Sequence, residues 1–192
     1  MINDYCLLWP VAVVGNESRK MLSQESREAL PVSSGMRVVG IDPGTARIGY
    51  ALITTNGNLF HCEAMGTWEM PTAAPHKRLA KLESLLSLFL KGARADRIGI
   101  ERLFFSTNKR TAMAVSEARG VILLAAGKMG VPLVELTPNE VKRAVTGDGT
   151  ASKRAVAKMA RWILRITDKD GFDDATDALA IAIAAARPTL KG

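Results

Sequence analysis

Residues 178–186 read ALAIAIAAA, nine positions occupied only by alanine, leucine and isoleucine. A helix that is apolar on every side must be buried. Three aspartates, Asp173, Asp174 and Asp177, nevertheless stand at its mouth in FDDATDALAIAIAAA. Buried carboxylates are costly unless something pairs with them. Two accounts of these acids are open. Free N–H groups and the macrodipole favour acids in a first helical turn, and Asp174 as N-cap with Asp177 at N3 resembles a capping box. Alternatively, positions 174 and 177 share a face that continues as Ala178, Ile181 and Ala185. Both acids then point where that stripe packs, and a like-charged pair aimed at the core asks for a cation.

The rest of the chain supplies layers to pack against. MRVVGID and RIGYALITT have the short apolar runs of strands. Asn56-Gly57 in TNGN is a hairpin signal leading into LFHCEAMGTW, so three successive strands form an antiparallel meander. PHKRLAKLESLLSLFLKG places Leu79, Leu82, Leu85, Leu86 and Phe89 at helical spacing, with Gly92 as the expected stop. RIGIE reads as a buried strand, NKRTAMAVSEARGVILLAAGKMG as a helix and VPLVEL as a further strand, an alternation that adds parallel strands. TPNEVKRAV opens a helix with Thr137 as N-cap, Pro138 at N1 and Glu140 at N3. KRAVAKMARWILRI buries Val156, Met159, Ala160 and Ile163, and turns Arg154, Lys158, Arg161 and Arg165 outward.

Length and charge bound the partners. The 192 residues are 47% hydrophobic, enough for one domain with a real core, and no apolar run spans a membrane. Two cysteines without a spacing motif predict a reducing compartment, the cytoplasm, with no disulfide or zinc site. Residues 1–35 are expected to be a disordered extension or an over-long gene start, ahead of one domain over 36–192. That domain carries 23 basic and 15 acidic residues, an excess that suits either an anionic polymer or a merely soluble surface.

Two further acids end strands. Asp42 closes the first strand and Glu101 the fourth. Singly, each has an ordinary explanation, a turn-initiating Asp before Pro43-Gly44 or a plain strand-end Glu. If strands one and four are neighbours, however, both acids emerge at one sheet edge, where Asp174 and Asp177 can join them. Four converging carboxylates make an all-oxygen site suited to magnesium or manganese rather than zinc. Two such ions could activate a water and stabilise the leaving oxygen of a phosphodiester.

GIDPGTARIGYAL, IGIERLFFSTN, EARGVILLAA, NEVKRAVTGDGTASK and DDATDALAIAIA resemble, in order, the motifs of the RuvC family of Holliday junction resolvases. The resemblance runs from Met36 to about Arg187. It implies an α/β, RNase H-like fold with a mixed five-stranded sheet flanked by helices, acting as a homodimer. It also implies cleavage of four-way junction DNA by paired symmetric nicks with Mg2+ or Mn2+, two ions per active site. The catalytic and metal-binding tetrad falls on Asp42, Glu101, Asp174 and Asp177, and the expected partners include branch-migration machinery of the RuvA and RuvB type. The spacing in DATDALA selects Asp174 over Asp173 as the first ligand of the pair.

By the same resemblance Phe104 stacks on an unpaired base, and Lys142 and Lys153 neutralise phosphates. Arg47, Lys109, Arg110, Arg143 and Arg154 are candidates by charge alone. The helix from Asn108 to Lys128, with small residues at Ala112, Val115, Ala118, Val121, Ile122 and Ala125, is the expected two-fold interface, or else packs only on its own sheet, and the sequence does not separate the two. Two other readings stay open: an RNase H-like nuclease acting on RNA, of the YqgF type, and an actin-type phosphate-binding ATPase domain suggested by DPGTARIG. A catalytically inert junction scaffold is disfavoured by the intact tetrad.

Overall fold

The computed structural model describes residues 35–71, 74–102, 109–166 and 175–187. The expectation for the N-terminal segment falls outside them. The first three strands, β1 (Met36–Asp42), β2 (Arg47–Asn56) and β3 (Leu59–Glu69), form the expected antiparallel meander. Helix α1 (Pro75–Ala93) leads to β4 (Arg97–Glu101), and α2 (Lys109–Met129) leads to β5 (Leu133–Leu136). Three helices follow, α3 (Pro138–Thr146), α4 (Lys153–Leu164) and α5 (Thr176–Ala186). The sheet order is β3-β2-β1-β4-β5, with β4 parallel to both β1 and β5. The two crossover helices bring their strands back parallel because a helix can return the chain to the same end of the sheet.

Strand alternation divides the core into two layers. Val39, Ile41, Leu52, Ile98 and Ile100 face α1 and α2, whereas Val38, Ala51 and Ile53 face α3, α4 and α5. In the first layer Trp68 stacks on Tyr50 with ring centroids 4.5 Å apart, and Phe89 of α1 meets Tyr50 edge-on at 4.9 Å. In the second, α5 buries every residue from Thr176 to Ala185 except Asp177, as its all-apolar sequence requires. Burial pushes the Cys62 thiol up to about 12, so it is a neutral apolar filler.

Gly40 and Gly99 allow α5 to approach this closely. They sit opposite each other on β1 and β4. A Cβ on Gly40 would lie 2.1 Å from the Ala178 carbonyl oxygen, and one on Gly99 would lie 2.5 Å from the Ala185 Cβ. With no side chain at the centre of the sheet, an alanine-rich helix rests almost directly on the backbone.

Several local expectations are corrected. Gly92 does not stop α1: the helix runs to Ala93 and is closed by Arg94 in the left-handed region, whose N–H donates to the Leu90 carbonyl at 3.2 Å. In the β2–β3 hairpin Asn56 is still a strand residue, and Gly57, at φ 61°, takes the first loop position. The small-residue face of α2 is used only in part by the chain's own core, with Ala112, Val115 and Val121 half-buried. Ala118, Ile122 and Ala125 are buried in the chain's own core, whereas Met113 and Leu124 are 68% and 54% exposed. On α4, Val156 and Ala160 are buried as expected, joined by Leu164, with Met159 and Ile163 packed at the margin.

Candidate active site

The sheet register brings two of the acids together. Ile41 pairs with Ile100, so Asp42 and Glu101 are the next residues out on neighbouring parallel strands. Period-two alternation puts Asp42 on the same face as Gly40, and Glu101 on the same face as Gly99. That is the face covered by α5. Arg97 donates from Nη1 to the Ala185 carbonyl at 2.8 Å, and Gly99 lies under Ile181 and Ala185. Two residues of strand advance about 6.6 Å and four residues of helix about 6 Å. The antiparallel run Ala185, Ile181, Asp177 therefore keeps step with Arg97, Gly99, Glu101, and the aspartate arrives over the glutamate.

The electrostatics agree with this convergence. Asp42 is raised above the ordinary carboxylate range, first by burial and then by the Asp177 charge, with Lys153 opposing. Glu101 is raised by burial, then by Asp42 and Asp177, against the pull of Lys142 and Lys153. Three carboxylates thus act on one another at one edge of the sheet, and two lysines face them.

The capping account of the aspartates does not survive. Helix α5 starts at Thr176 with Ala175 as its N-cap, and no side chain makes a cap hydrogen bond. Asp177 is at N2 and is half-buried. Its Oδ2 instead accepts from Lys153 Nζ at 2.6 Å. The contact with Asp177, partly opposed by burial, holds the Lys153 ammonium above its usual range.

Both lysines are held by a short, well-determined connection. Thr137 and Glu140 form the expected reciprocal capping box at the start of α3, the helix that carries Lys142. Gly147 ends that helix at φ 84°, where a side chain would be strained. Asp148 Oδ1 then accepts from the Thr150 N–H at 2.8 Å and from its hydroxyl at 2.7 Å. Ser152 caps α4 by accepting from the Ala155 N–H at 3.2 Å, which fixes Lys153 at N1.

Asp173, Asp174 and Phe104 lie outside the described residues, as do the side chains of Lys109 and Arg110. Arg47 is instead tied to Glu69 at 3.5 Å on the β2–β3 ladder.

Comparison with known proteins decides what this arrangement is. The family model described as crossover junction endodeoxyribonuclease RuvC matches residues 38–185. The chain belongs to the RuvC family. It is 42% identical to the RuvC of Desulfitobacterium hafniense over 149 residues, covering 77% of this chain and 90% of that one. It is also 42% identical to the RuvC of Chloroflexus aurantiacus over 159 residues, covering 81% of this chain and 97% of that one. Among solved structures it is similar to Thermus thermophilus RuvC in complex with a Holliday junction substrate. There the TM-score is 0.73 at 30% identity, over 78% of this chain and 92% of the other. The yeast mitochondrial Holliday junction resolvase Ydc2 shares the fold, with a TM-score of 0.53 at 17% identity over 79% of this chain and 76% of that one. The sheet and its flanking helices are thus those of the RNase H-like fold, and the family is one of metal-dependent endonucleases.

The residues fit such a metal by chemistry. Asp42, Glu101 and Asp177 offer only carboxylate oxygens, the donors that hard divalent cations prefer, and their mutual repulsion is what a cation would relieve. Among the described residues no three acidic, histidine or cysteine side chains are already grouped tightly enough to hold an ion. Asp177 is turned onto Lys153. A metal there would compete with Lys153 for the Asp177 carboxylate.

Sequence reasoning missed two positioning residues, Gly40 and Gly99. A glycine inside a β-branched strand run marks close backbone approach, and both VVGID and RIGIE carry one two residues before the acid.

Proposed function

We infer that this chain is a structure-selective endodeoxyribonuclease that resolves four-way DNA junctions by paired symmetric nicks during recombination and repair. The observation that carries this is the meeting of Asp42, Glu101 and Asp177 at one sheet edge, faced by Lys142 and Lys153, in a member of the RuvC family. Asp174, three residues before Asp177, is the proposed fourth ligand. These four would hold two Mg2+ or Mn2+ ions, whose chemistry there is to activate water and stabilise a leaving oxygen.

The chain's own residues do the rest. Strand pairing holds Asp42 and Glu101 close despite like charge, and a cation would offset the burial and mutual repulsion that raise both. Lys153 holds the Asp177 carboxylate in the free protein. A DNA phosphate entering the site offers the 82% exposed Lys153 side chain a second anion, releasing the aspartate. Lys142, half-buried on α3, neutralises a neighbouring phosphate. Phe104 stacks on an unpaired base at the crossover.

Two symmetric cuts need two equivalent sites, which a homodimer provides. The outward face of α2, with Met113 and Leu124 exposed, is the surface available for it. Among the described residues no helix is long and apolar enough to cross a membrane. The proposed setting is the cytoplasm, beside branch-migration machinery of the RuvA and RuvB type.

The test is cleavage of a synthetic four-way junction by the full chain with Mg2+ or Mn2+. Ligatable, symmetric nicks on two opposing strands are expected, from a protein that sediments as a dimer. Ca2+ should support binding with little cleavage, because its looser coordination shell positions the attacking water poorly. Equal cutting of linear duplex, or a preference for structured RNA, would refute the resolvase reading and favour an RNA nuclease.

A further inference from the structure

The outward side of α4 carries charge that the described fold does not answer. From Lys153 to Arg165 the chain has five basic residues and no acidic one. At about 100° per residue, Arg154 and Lys158 lie about 40° apart around the helix, and Arg165, the left-handed C-cap, follows at its end. The first two lie opposite Val156 and Ala160, which are buried. All three are exposed, and among the described residues none of the three pairs with a carboxylate. Arg161, beside them, is tied back to the Thr176 hydroxyl at 3.5 Å.

Trp162 belongs to the same side. It sits four residues after Lys158 and three before Arg165, and it is 75% exposed, whereas Trp68 in the core is 5% exposed. A solvated helix face accounts for cations alone, but such faces usually mix both signs of charge. It does not account for a tryptophan left in water among three cations that are unpaired among the described residues.

We propose that this face of α4 is a binding track for the sugar–phosphate backbone of the duplex arm that leaves the active site. Arg154, Lys158 and Arg165 neutralise phosphates, and Trp162 packs its ring on the backbone between them. The inference rests on the resolvase reading and adds a second contact region to it. Charge complementarity selects a polyanion over a protein. Position selects the substrate's own arm, because the track starts beside Lys153, whose Nζ is 2.6 Å from Asp177. The helix from Lys153 to Leu164 is about 18 Å long, which matches about five base pairs at about 3.4 Å each. Helix α4 also lies on the sheet face opposite α1 and α2. In a dimer joined through α2, α4 would therefore face away from the joint.

The experiment compares the full chain with its Arg154→Gln/Lys158→Gln/Arg165→Gln variant, measuring junction affinity in Ca2+ from about 50 to about 200 mM salt. Each lost phosphate contact lowers the log–log salt slope by about 0.9, so the variant's slope should be shallower by about 2.7. All three positions are exposed, and an unchanged melting temperature will show that the variant is folded. Separately, junction DNA should shield the iodide-quenchable fluorescence that Trp162→Phe removes. Trp162→Ala should weaken binding about twofold or more, by loss of the apolar area the ring buries against the sugars. A folded triple variant with the parent's slope, or a Trp162 that stays quenchable in the complex, overturns the inference, and would be the result if the face docks a protein instead. A parent that fails to bind four-way junctions overturns the resolvase reading and this inference with it. A parent that binds them while the triple variant keeps its slope overturns this inference alone.

Discussion

Replacing Gly40 by alanine adds one methyl group at the tightest point between the sheet and α5. The new Cβ would stand 2.1 Å from the Ala178 carbonyl oxygen, 2.6 Å from the Ala182 nitrogen and 2.8 Å from the Ala182 Cβ. The first two are backbone atoms, so no side chain can swing away. Strand β1 cannot retreat either, because it is paired on both sides, to β2 and to β4. Ordinary contact begins at 3.4 Å, so α5 has to lift by about 1 Å or more. Overpacking of this kind costs about 1–3 kcal/mol. For a chain of this length, that lowers Tm by about 3–10 °C. The larger effect should fall on catalysis, since α5 carries Asp177 at its first turn over Glu101. A misplacement of about 1 Å in a reacting constellation costs about 100-fold in rate. The assay pairs thermal unfolding with single-turnover cleavage of a four-way junction, and Ca2+-supported binding serves as a third readout. Helices α3 and α4, which carry the lysines, pack on α5, so affinity should fall as well, by less than the rate. Gly127→Ala, where an added Cβ meets nothing within 4 Å, is the control and should not lower Tm. A Gly40→Ala protein with parental Tm and cleavage within twofold would refute the claim that close sheet–helix approach sets the site.

Two further predictions concern charge. Burial and the Asp177 charge raise Asp42 in the fold, so the folded chain binds this proton more tightly than the unfolded one. Stability of the metal-free protein should then fall as pH rises from the ordinary carboxylate range through the raised value. Asp42→Asn removes that loss. With EDTA present it should melt higher than the parent at neutral pH and show a flatter pH profile, while metal-dependent cleavage disappears. A lower Tm, or parental cleavage, would exclude Asp42 from the site. Lys153→Gln should free Asp177, tightening Mn2+ binding to the DNA-free protein several-fold by calorimetry, while junction binding weakens by loss of a phosphate contact. Unchanged Mn2+ affinity would mean that the Lys153–Asp177 pair does not compete with the metal.

What the sequence determined alone is whatever depends on near neighbours along the chain. Period-two runs and a glycine-bearing turn were enough to specify the β1–β3 meander, and Thr137, Pro138 and Glu140 specified the start of α3. Nine unbroken apolar residues specified that α5 is buried. The order of five motifs pointed to the family and named Asp42, Glu101, Asp174 and Asp177 together, of which Asp174 lies outside the described residues. Tertiary structure decided the rest, because it depends on what lies across a gap. Asp177 looked like half of a capping box, yet the helix begins at Thr176 and the aspartate's partner is Lys153, 24 residues away. The sequence of α2 offered six small residues as one face, and only the fold shows that Ala118, Ile122 and Ala125 are covered by the chain's own core while Ala112, Val115 and Val121 are half-buried. Arg94 ends α1 where Gly92 was expected to, and Ala93, fully buried in the core, falls inside the helix. Gly40 and Gly99 are ordinary letters in two strands until β1 and β4 become neighbours. Only then do two missing side chains make the space that lowers α5, and Asp177 with it, onto the edge where Asp42 and Glu101 emerge.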